Sequence, residues 1–190
     1  MKASRLACAA VATAALITGA ATPAQAAAKL VVDSFEFPPA PANGFTSYNA
    51  GDWIGPWVVS KGSVDVVREN YWDAAHGRQS VDLSGSSAGA ITRTYQKLIP
   101  GVNYRLSFQV AGNPECGKGL KYGDVWIDGK KVTWFVAAPA TKQWMDYDYK
   151  QVMFKTKWFS KTAKVTINSN SNGYCGPVID DVRLSPAYFH

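Results

Sequence analysis

The stretch NYRLSFQVA, residues 103–111, alternates apolar and polar side chains along its whole length. Successive side chains of a β-strand point to opposite faces. One face therefore carries Tyr104, Leu106, Phe108 and Val110, and the other carries Arg105, Ser107 and Gln109. One apolar and one polar face is typical of an antiparallel sheet. The stretch predicts a strand in a sheet that packs against a second layer.

Short segments rich in Val, Ile, Thr and aromatic residues recur along the chain, separated by Gly, Pro, Asn or Ser. The predicted strands are residues 29–36, 57–60, 63–67, 79–83, 90–95, 103–111, 123–127, 131–135, 146–155, 163–168 and 178–184. Long loops are predicted at residues 38–54, 67–78 and 112–122, and Asp128-Gly129 predicts a tight hairpin. About eleven short strands predict an all-β fold, a two-sheet antiparallel jelly-roll β-sandwich.

Residues 1–26 have the pattern of a secretory signal peptide. Lys2 and Arg5 precede an apolar run at residues 6–21, and Ala24-Gln25-Ala26 provides the small residues of a cleavage site. The alternative, a membrane-spanning helix, is disfavoured because the run is short and interrupted by polar residues and glycine. The sequence predicts a secreted, extracellular protein with one mature domain at residues 27–190 and no membrane partner after cleavage.

The charges of the mature chain are few and scattered. The full chain carries a net charge of +6, and removal of Lys2 and Arg5 leaves about +4. A nucleic-acid-binding protein concentrates its basic residues in a patch, so no nucleic-acid partner is predicted.

Two cysteines, Cys116 and Cys175, remain after removal of residues 1–26. An even number in an oxidising compartment predicts one disulfide bond. A metal pair or a nucleophile is the alternative. Each would be expected beside histidine, and the mature chain contains only His76 and His190.

The last predicted strand lies in CGPVIDDVRL, residues 175–184. Alternation predicts that Asp180 shares the core face with Val178, Val182 and Leu184, and that Asp181 points to solvent. A buried carboxylate is costly unless it accepts hydrogen bonds or coordinates a cation. Asp180 is therefore a candidate for one of these roles.

Several motifs together resemble a known secreted family. They are SFEFP at residues 34–38, GPWVV at 55–59, GSVDV at 62–66, YWDAAHGRQSVDLSG at 71–85, PGVNY at 100–104, AGNP at 111–114 and CGPVIDDV at 175–182. In their order and spacing they resemble the family called domain of unknown function 642. The resemblance implies a galactose-binding-like jelly roll, the architecture of many carbohydrate-binding modules. It further implies association with cell-wall polysaccharides, without established catalytic residues.

The resemblance also implies a structural calcium ion. Galactose-binding-like sugar modules often hold calcium between their first and last strands, and Glu36 and Asp180 resemble the carboxylates that supply its oxygens. The alternative is that Asp180 only accepts backbone N–H groups. No other cofactor is predicted.

Exposed aromatic rings stack on the apolar faces of sugars, and the chain has 7 Trp and 9 Tyr residues. Tyr71 and Trp72, in a predicted loop, are the candidate platform, with core packing as the alternative. The candidate polar contacts are Asp73, Arg78 and Gln79. Trp57 and Trp126 lie on predicted alternating strands and are expected in the core.

The predicted function is therefore non-catalytic binding of a cell-wall polysaccharide by a monomer. The first alternative is a protein-interaction or wall-structural domain. A hydrolase is less favoured, because a glycosidase needs two carboxylates flanking a cleft and a catalytic triad would depend on His76.

Overall fold

The computed structural model describes residues 30–187, so the predicted signal peptide lies outside the described residues. These residues form an all-β fold with one short 3₁₀ helix, Pro114–Cys116. The strands are β1 Val31–Asp33, β2 Phe45–Asn49, β3 Trp53–Ile54, β4 Trp57–Lys61, β5 Ser63–Arg68, β6 Gln79–Asp82, β7 Ala90–Tyr95, β8 Asn103–Gly112, β9 Lys121–Ile127, β10 Lys130–Ala137, β11 Asp148–Lys155, β12 Ala163–Ser169 and β13 Pro177–Pro186. No helix within residues 30–187 is long and apolar enough to cross a membrane.

The strands form two antiparallel sheets that pack as a jelly-roll sandwich, which confirms the predicted fold class. The seven-stranded sheet has the order β11-β8-β13-β6-β5-β2, with β1 also paired to β13. The six-stranded sheet has the order β10-β9-β12-β7-β4-β3. The alternating residues of β8 behave as predicted, because Tyr104, Leu106, Phe108 and Val110 all pack in the core between the sheets.

Two strands lie where the sequence predicted only a loop. Residues 38–54 contain β2 and β3, of which β2 pairs with β5 and β3 with β4. Strand β2 is hard to recognise because its apolar Phe45 faces outward while its partly buried inward residues are Thr46 and Tyr48. The predicted hairpin is confirmed, since Asp128 and Gly129 join β9 to β10 with φ angles of 49° and 79°.

Strand β13 corrects the predicted orientation of Asp180. Between Asp180 and Arg183 the strand has one residue more than the segment of β8 opposite it, which makes a β-bulge. The bulge reverses the alternation, so Ile179 faces the main core together with Val182 and Leu184. Asp180 therefore lies on the outer face, under the loop that contains His76.

Asp181 was predicted to be solvated, and this prediction is wrong. It occupies the bulge with a φ angle of 50° and is buried. Its carboxylate accepts two hydrogen bonds from Nε of Arg183, each of 2.9 Å. The guanidinium of Arg183, two residues further along the strand, thus neutralises the charge of Asp181.

The loops gather at two opposite ends of the sandwich. The end that we call the disulfide end has loops 83–89, 113–120, 138–147 and 170–176. The Cys116–Cys175 disulfide joins two of these loops and confirms the predicted pairing. The end that we call the lysine end has loops 96–102, 128–129 and 156–162. Antiparallel pairing of β7, β8, β9, β11 and β12 fixes this separation.

Candidate functional site

A pocket of about 320 Å³ lies on the outer face of the seven-stranded sheet, beside the disulfide end. Strands β2 and β5 form its floor, and four loops form its walls. The lining residues are Phe45, Ser47, Asp65, Val67, Tyr71, Trp72, Gly85, Ser86, Asn113, Glu115, Cys116 and Tyr174. We call this concavity the aromatic pocket.

Aromatic rings form one continuous wall of the aromatic pocket. Phe45 packs edge-to-face on Tyr71, with ring centroids 5.8 Å apart, and Tyr71 packs on Trp72 at 5.4 Å. Tyr174 stands apart from this wall and is 71% exposed. Partly exposed rings beside an open volume can stack on a planar or apolar ligand face.

Polar groups of two strands lie next to these rings. Ser47 of β2 donates its hydroxyl to Asp65 of β5 over 2.6 Å. This pair is held by strand register, since the two residues are directly opposite one another. Partial burial raises the pKa of Asp65, while the hydrogen bond from Ser47 acts in the opposite direction. The pocket therefore contains a partly desolvated acceptor that a ligand hydroxyl could reach.

Gly85 closes the pocket floor at a point where no side chain fits. A Cβ atom there would lie 2.9 Å from the Asp65 carboxylate and 2.9 Å from the Ser63 hydroxyl. The neighbouring Ser86 hydroxyl is 3.0 Å from that of Ser63. The glycine thus allows the loop to bring Ser86 close to the strand surface.

The disulfide holds the remaining wall. Glu115 lies next to Cys116 and Tyr174 next to Cys175, so the bond fixes both side chains near the opening. Glu115 forms an ion pair with Lys142, and the ammonium group of Lys142 lies 4.2 Å from the Tyr71 ring centroid. The ion pair and the aromatic wall are therefore one connected unit.

The structure brings together only two of the five predicted ligand contacts. Tyr71 and Trp72 line the aromatic pocket, but Trp72 is only 4% exposed and donates its indole N–H to Ser80. Asp73 lines a different concavity with Trp144 and Tyr147.

The other two predicted contacts support the loop. Arg78 pairs with Glu69 on the surface. Gln79 is 2% exposed, accepts from the backbone of Ala40 and donates to the carbonyls of Phe35 and Pro38. The amide oxygen and the amide nitrogen of Gln79 both have backbone partners, so neither is free to bind a ligand.

Three residues outside the predicted set of ligand contacts also line the pocket: Phe45, Asp65 and Tyr174. Phe45 belongs to the unrecognised strand β2. Asp65 has the outward position in the alternating stretch SVDV, which was visible in the sequence. Tyr174 adjoins a disulfide cysteine, and that proximity was a usable signal. Strand pairing, however, brings Phe45 and Asp65 together, and the disulfide holds Tyr174 near them.

The predicted calcium ligands both contact one tight turn. Glu36 accepts the backbone N–H groups of Arg78 and Gln79, and Asp180 accepts that of His76 over 2.7 Å. Burial chiefly raises the pKa of Asp180 to about 8, and the charges of Asp181 and Glu36 add to this. The oxygen-only chemistry suits Ca²⁺. Within residues 30–187, however, no group of three or more His, Cys, Asp and Glu residues is arranged to hold a metal.

A second groove, of about 350 Å³, crosses the outer face of the six-stranded sheet. It contains Trp126, which was predicted in the core but is half-buried on this outer face and donates its indole N–H to Asp124. Trp57, by contrast, is fully buried as predicted. The second groove has a single aromatic residue, so the aromatic pocket is the stronger candidate for a ligand site.

Solved carbohydrate-binding modules have a similar fold. A family 35 module from Clostridium thermocellum matches with a TM-score of 0.54, at 14% identity over 84% of this chain and 100% of that chain. The CBM22-1 xylan-binding domain from Paenibacillus barcinonensis Xyn10C matches with a TM-score of 0.52, at 13% identity over 86% of this chain and 98% of that chain.

The chain belongs to the family described as "Protein of unknown function (DUF642)", whose model matches residues 29–185. This assignment confirms the resemblance in the sequence. Halomucin of Haloquadratum walsbyi is 30% identical over 131 residues, which is 69% of this chain. The chain spans only 1% of the length of halomucin.

Proposed function

We propose that the protein is a secreted, non-catalytic, monomeric module that binds a cell-wall polysaccharide in the aromatic pocket. The observation that carries the proposal is that the rings of Phe45, Tyr71 and Tyr174 line one pocket beside the Ser47–Asp65 pair. A pyranose ring has apolar faces and equatorial hydroxyls, so it needs a stacking surface and an adjacent acceptor.

The similar solved structures support this reading at the level of the fold. They are named as carbohydrate-binding modules, one of them as xylan-binding. The disulfide supports export, because such bonds persist in oxidising compartments. The pocket carboxylates Asp65 and Glu115 are each paired with a neighbouring side chain, which favours binding over hydrolysis.

Tyr174→Ala tests the proposal, because the Tyr174 ring is exposed and its removal should not disturb the core. Retention on insoluble glucan, pectin, chitin and peptidoglycan would be measured by pull-down, followed by titration of the retained glycan. We expect the variant to bind at least about tenfold more weakly, a loss of about 1.4 kcal/mol.

Trp53→Ala is the matched control, since Trp53 is 63% exposed and lies outside the pocket. Unchanged retention is expected for it. Retention on none of the polymers, or equal binding by wild type and Tyr174→Ala, would overturn the proposal. Release of reducing ends from a bound glycan would instead support a hydrolase.

A protein partner is the second candidate function. Trp144 and Leu120 are exposed at the disulfide end, outside the aromatic pocket, and offer apolar surface to another chain. Co-purification with another exported protein, combined with no retention on any glycan, would favour this candidate.

A structural calcium ion held by Glu36 and Asp180 is also proposed. Calcium would add positive charge where two carboxylates now repel, and backbone carbonyls or water would complete its shell. We expect calcium to raise the melting temperature of the wild type and a chelator to lower it, with no response in Asp180→Asn. A melting temperature that ignores both additions would contradict the site.

A further inference from the structure

The lysine end concentrates positive charge that is dispersed in the sequence. Three hairpin loops and the strand residues beside them carry Lys97, Lys130, Lys155, Lys157, Lys161 and Lys164. Backbone hydrogen bonds join these loops. Leu98 donates to the carbonyl of Lys161 and Asp128 to that of Lys164, each over 2.8 Å. The lysines are therefore neighbours on one surface, and all six are exposed.

A single carboxylate opposes this charge in the three loops, all of which the structure describes. Asp128 accepts the backbone N–H of Lys164 and lies 3.5 Å from the ammonium group of Lys157. Asp128 thus stabilises the hairpin and neutralises one lysine at most. The lysine end has a strong net positive charge on a chain whose mature net charge is only about +4.

Two aromatic side chains project from the centre of the lysine end. Phe159 is fully exposed, and Trp158 is 70% exposed. The Trp158 ring rests against Gly101, where a Cβ atom would lie 2.6 Å from it, and the Lys155 ammonium lies 5.0 Å from its centroid. Because Gly101 has no side chain, the Trp158 ring packs on the neighbouring loop, and Phe159 lies next to it in the sequence.

Exposed apolar rings at a convex tip, within a ring of lysines, have the chemistry of an interfacial anchor. Aromatic rings favour the boundary between headgroups and acyl chains, and lysines are attracted to anionic headgroups. A polysaccharide site is usually concave or flat, whereas Phe159 protrudes. We propose that the lysine end docks on anionic phospholipid bilayers by inserting Phe159 and Trp158 between the headgroups.

This inference is independent of the aromatic pocket, which lies beside the opposite end of the sandwich. It also revises the expectation that the mature chain has no membrane partner. That expectation came from removal of the predicted signal peptide. The lysines of the mature chain are dispersed in the sequence, but strand pairing gathers them on one surface. The association would be peripheral, through a loop tip.

Flotation with vesicles tests the proposal. The full chain would be mixed with vesicles of phosphatidylcholine alone, or of phosphatidylcholine with one third phosphatidylglycerol. We expect binding to the anionic vesicles only, weakened by added salt because surface charges are screened. Phe159→Ser should reduce binding at least tenfold without changing the melting temperature, since the ring makes no core contact. Lys157→Glu combined with Lys161→Glu should abolish it.

The matched control is Trp53→Ser, which removes an exposed aromatic ring from outside the lysine end and should leave binding unchanged. Equal binding to neutral and anionic vesicles would overturn the proposal, as would wild-type affinity in Phe159→Ser. Retention on the acidic polymer polygalacturonate without any binding to anionic vesicles would also overturn it, and would assign the lysine end to an acidic glycan.

Discussion

Tyr95 is buried in the core with its hydroxyl group unsatisfied. Among residues 30–187 it supplies the only buried side-chain polar atom without a hydrogen-bond partner. Its ring packs edge-to-face on Trp57 and lies 4.6 Å below the guanidinium of Arg93, contacts that phenylalanine also makes. Tyr95→Phe should therefore leave the free energy of unfolding unchanged or raise it by about 1 kcal/mol, measured by urea denaturation. A loss of about 1 kcal/mol or more would show that the hydroxyl has a partner.

Asp82 makes stability depend on pH. Burial chiefly raises the pKa of its carboxyl to about 8, against the hydrogen bonds from Asn113, Ser84 and Gly176. In the unfolded chain the group has a pKa of about 3.9. Between these two values the folded state retains a proton that the unfolded state has lost. The contribution of Asp82 to the free energy of unfolding is therefore fully present below about pH 4. It declines as the pH rises to about 8, by up to about 1.4 kcal/mol per pH unit.

Asp82→Asn removes this titration, so the free energy of unfolding of the variant should fall less between pH 5 and pH 8 than that of the wild type. Urea denaturation at the two pH values measures the difference. Asp146→Asn, at an exposed position, is the control and should keep the wild-type slope. Identical slopes for Asp82→Asn and wild type would show that Asp82 is ionised in the folded state throughout this range.

At the scale of the element, alternation predicted most strands but not their local irregularities. Strand β8 follows the period of two throughout, so its core residues were predictable. Strand β13 contains a bulge at Asp181, and a single extra residue moves Asp180 to the opposite face. The bulge is defined by the pairing of β13 with β8, a strand that is distant in the sequence. That information is not present in ten residues of local sequence.

The disulfide joins two of the loops that line the aromatic pocket. It connects residues 59 positions apart, and the chain-entropy model gives a stabilisation of about 4 kcal/mol for a loop of that length. Replacing both Cys116 and Cys175 with serine should lower the free energy of unfolding by about that amount, measured in urea. Wild-type protein treated with a reductant is the control and should match the variant. A change below about 1 kcal/mol would contradict the chain-entropy estimate for this bond.

At the scale of the whole molecule, the candidate site was only partly predictable. Tyr71 was recognisable as a loop aromatic, but Phe45, Asp65 and Tyr174 join it only because β2 pairs with β5 and the disulfide restrains loop 170–176. The lysine end shows the same limitation. Its lysines look dispersed along the chain until three hairpins place them together. Sheet topology, which single segments do not encode, determines both surfaces.

The two surfaces face different directions, so one molecule should engage two partners at once. Wild-type protein should carry phosphatidylglycerol vesicles into the pellet with an insoluble glycan that it binds. Without the protein, the glycan should not carry vesicles into the pellet. Tyr174→Ala should leave the vesicles bound to protein but off the glycan, and Phe159→Ser should leave protein on the glycan without vesicles. Fluorescent lipid in the pellet measures the result. Loss of both activities in either variant would contradict two independent surfaces, because each substitution removes an exposed ring at only one of them.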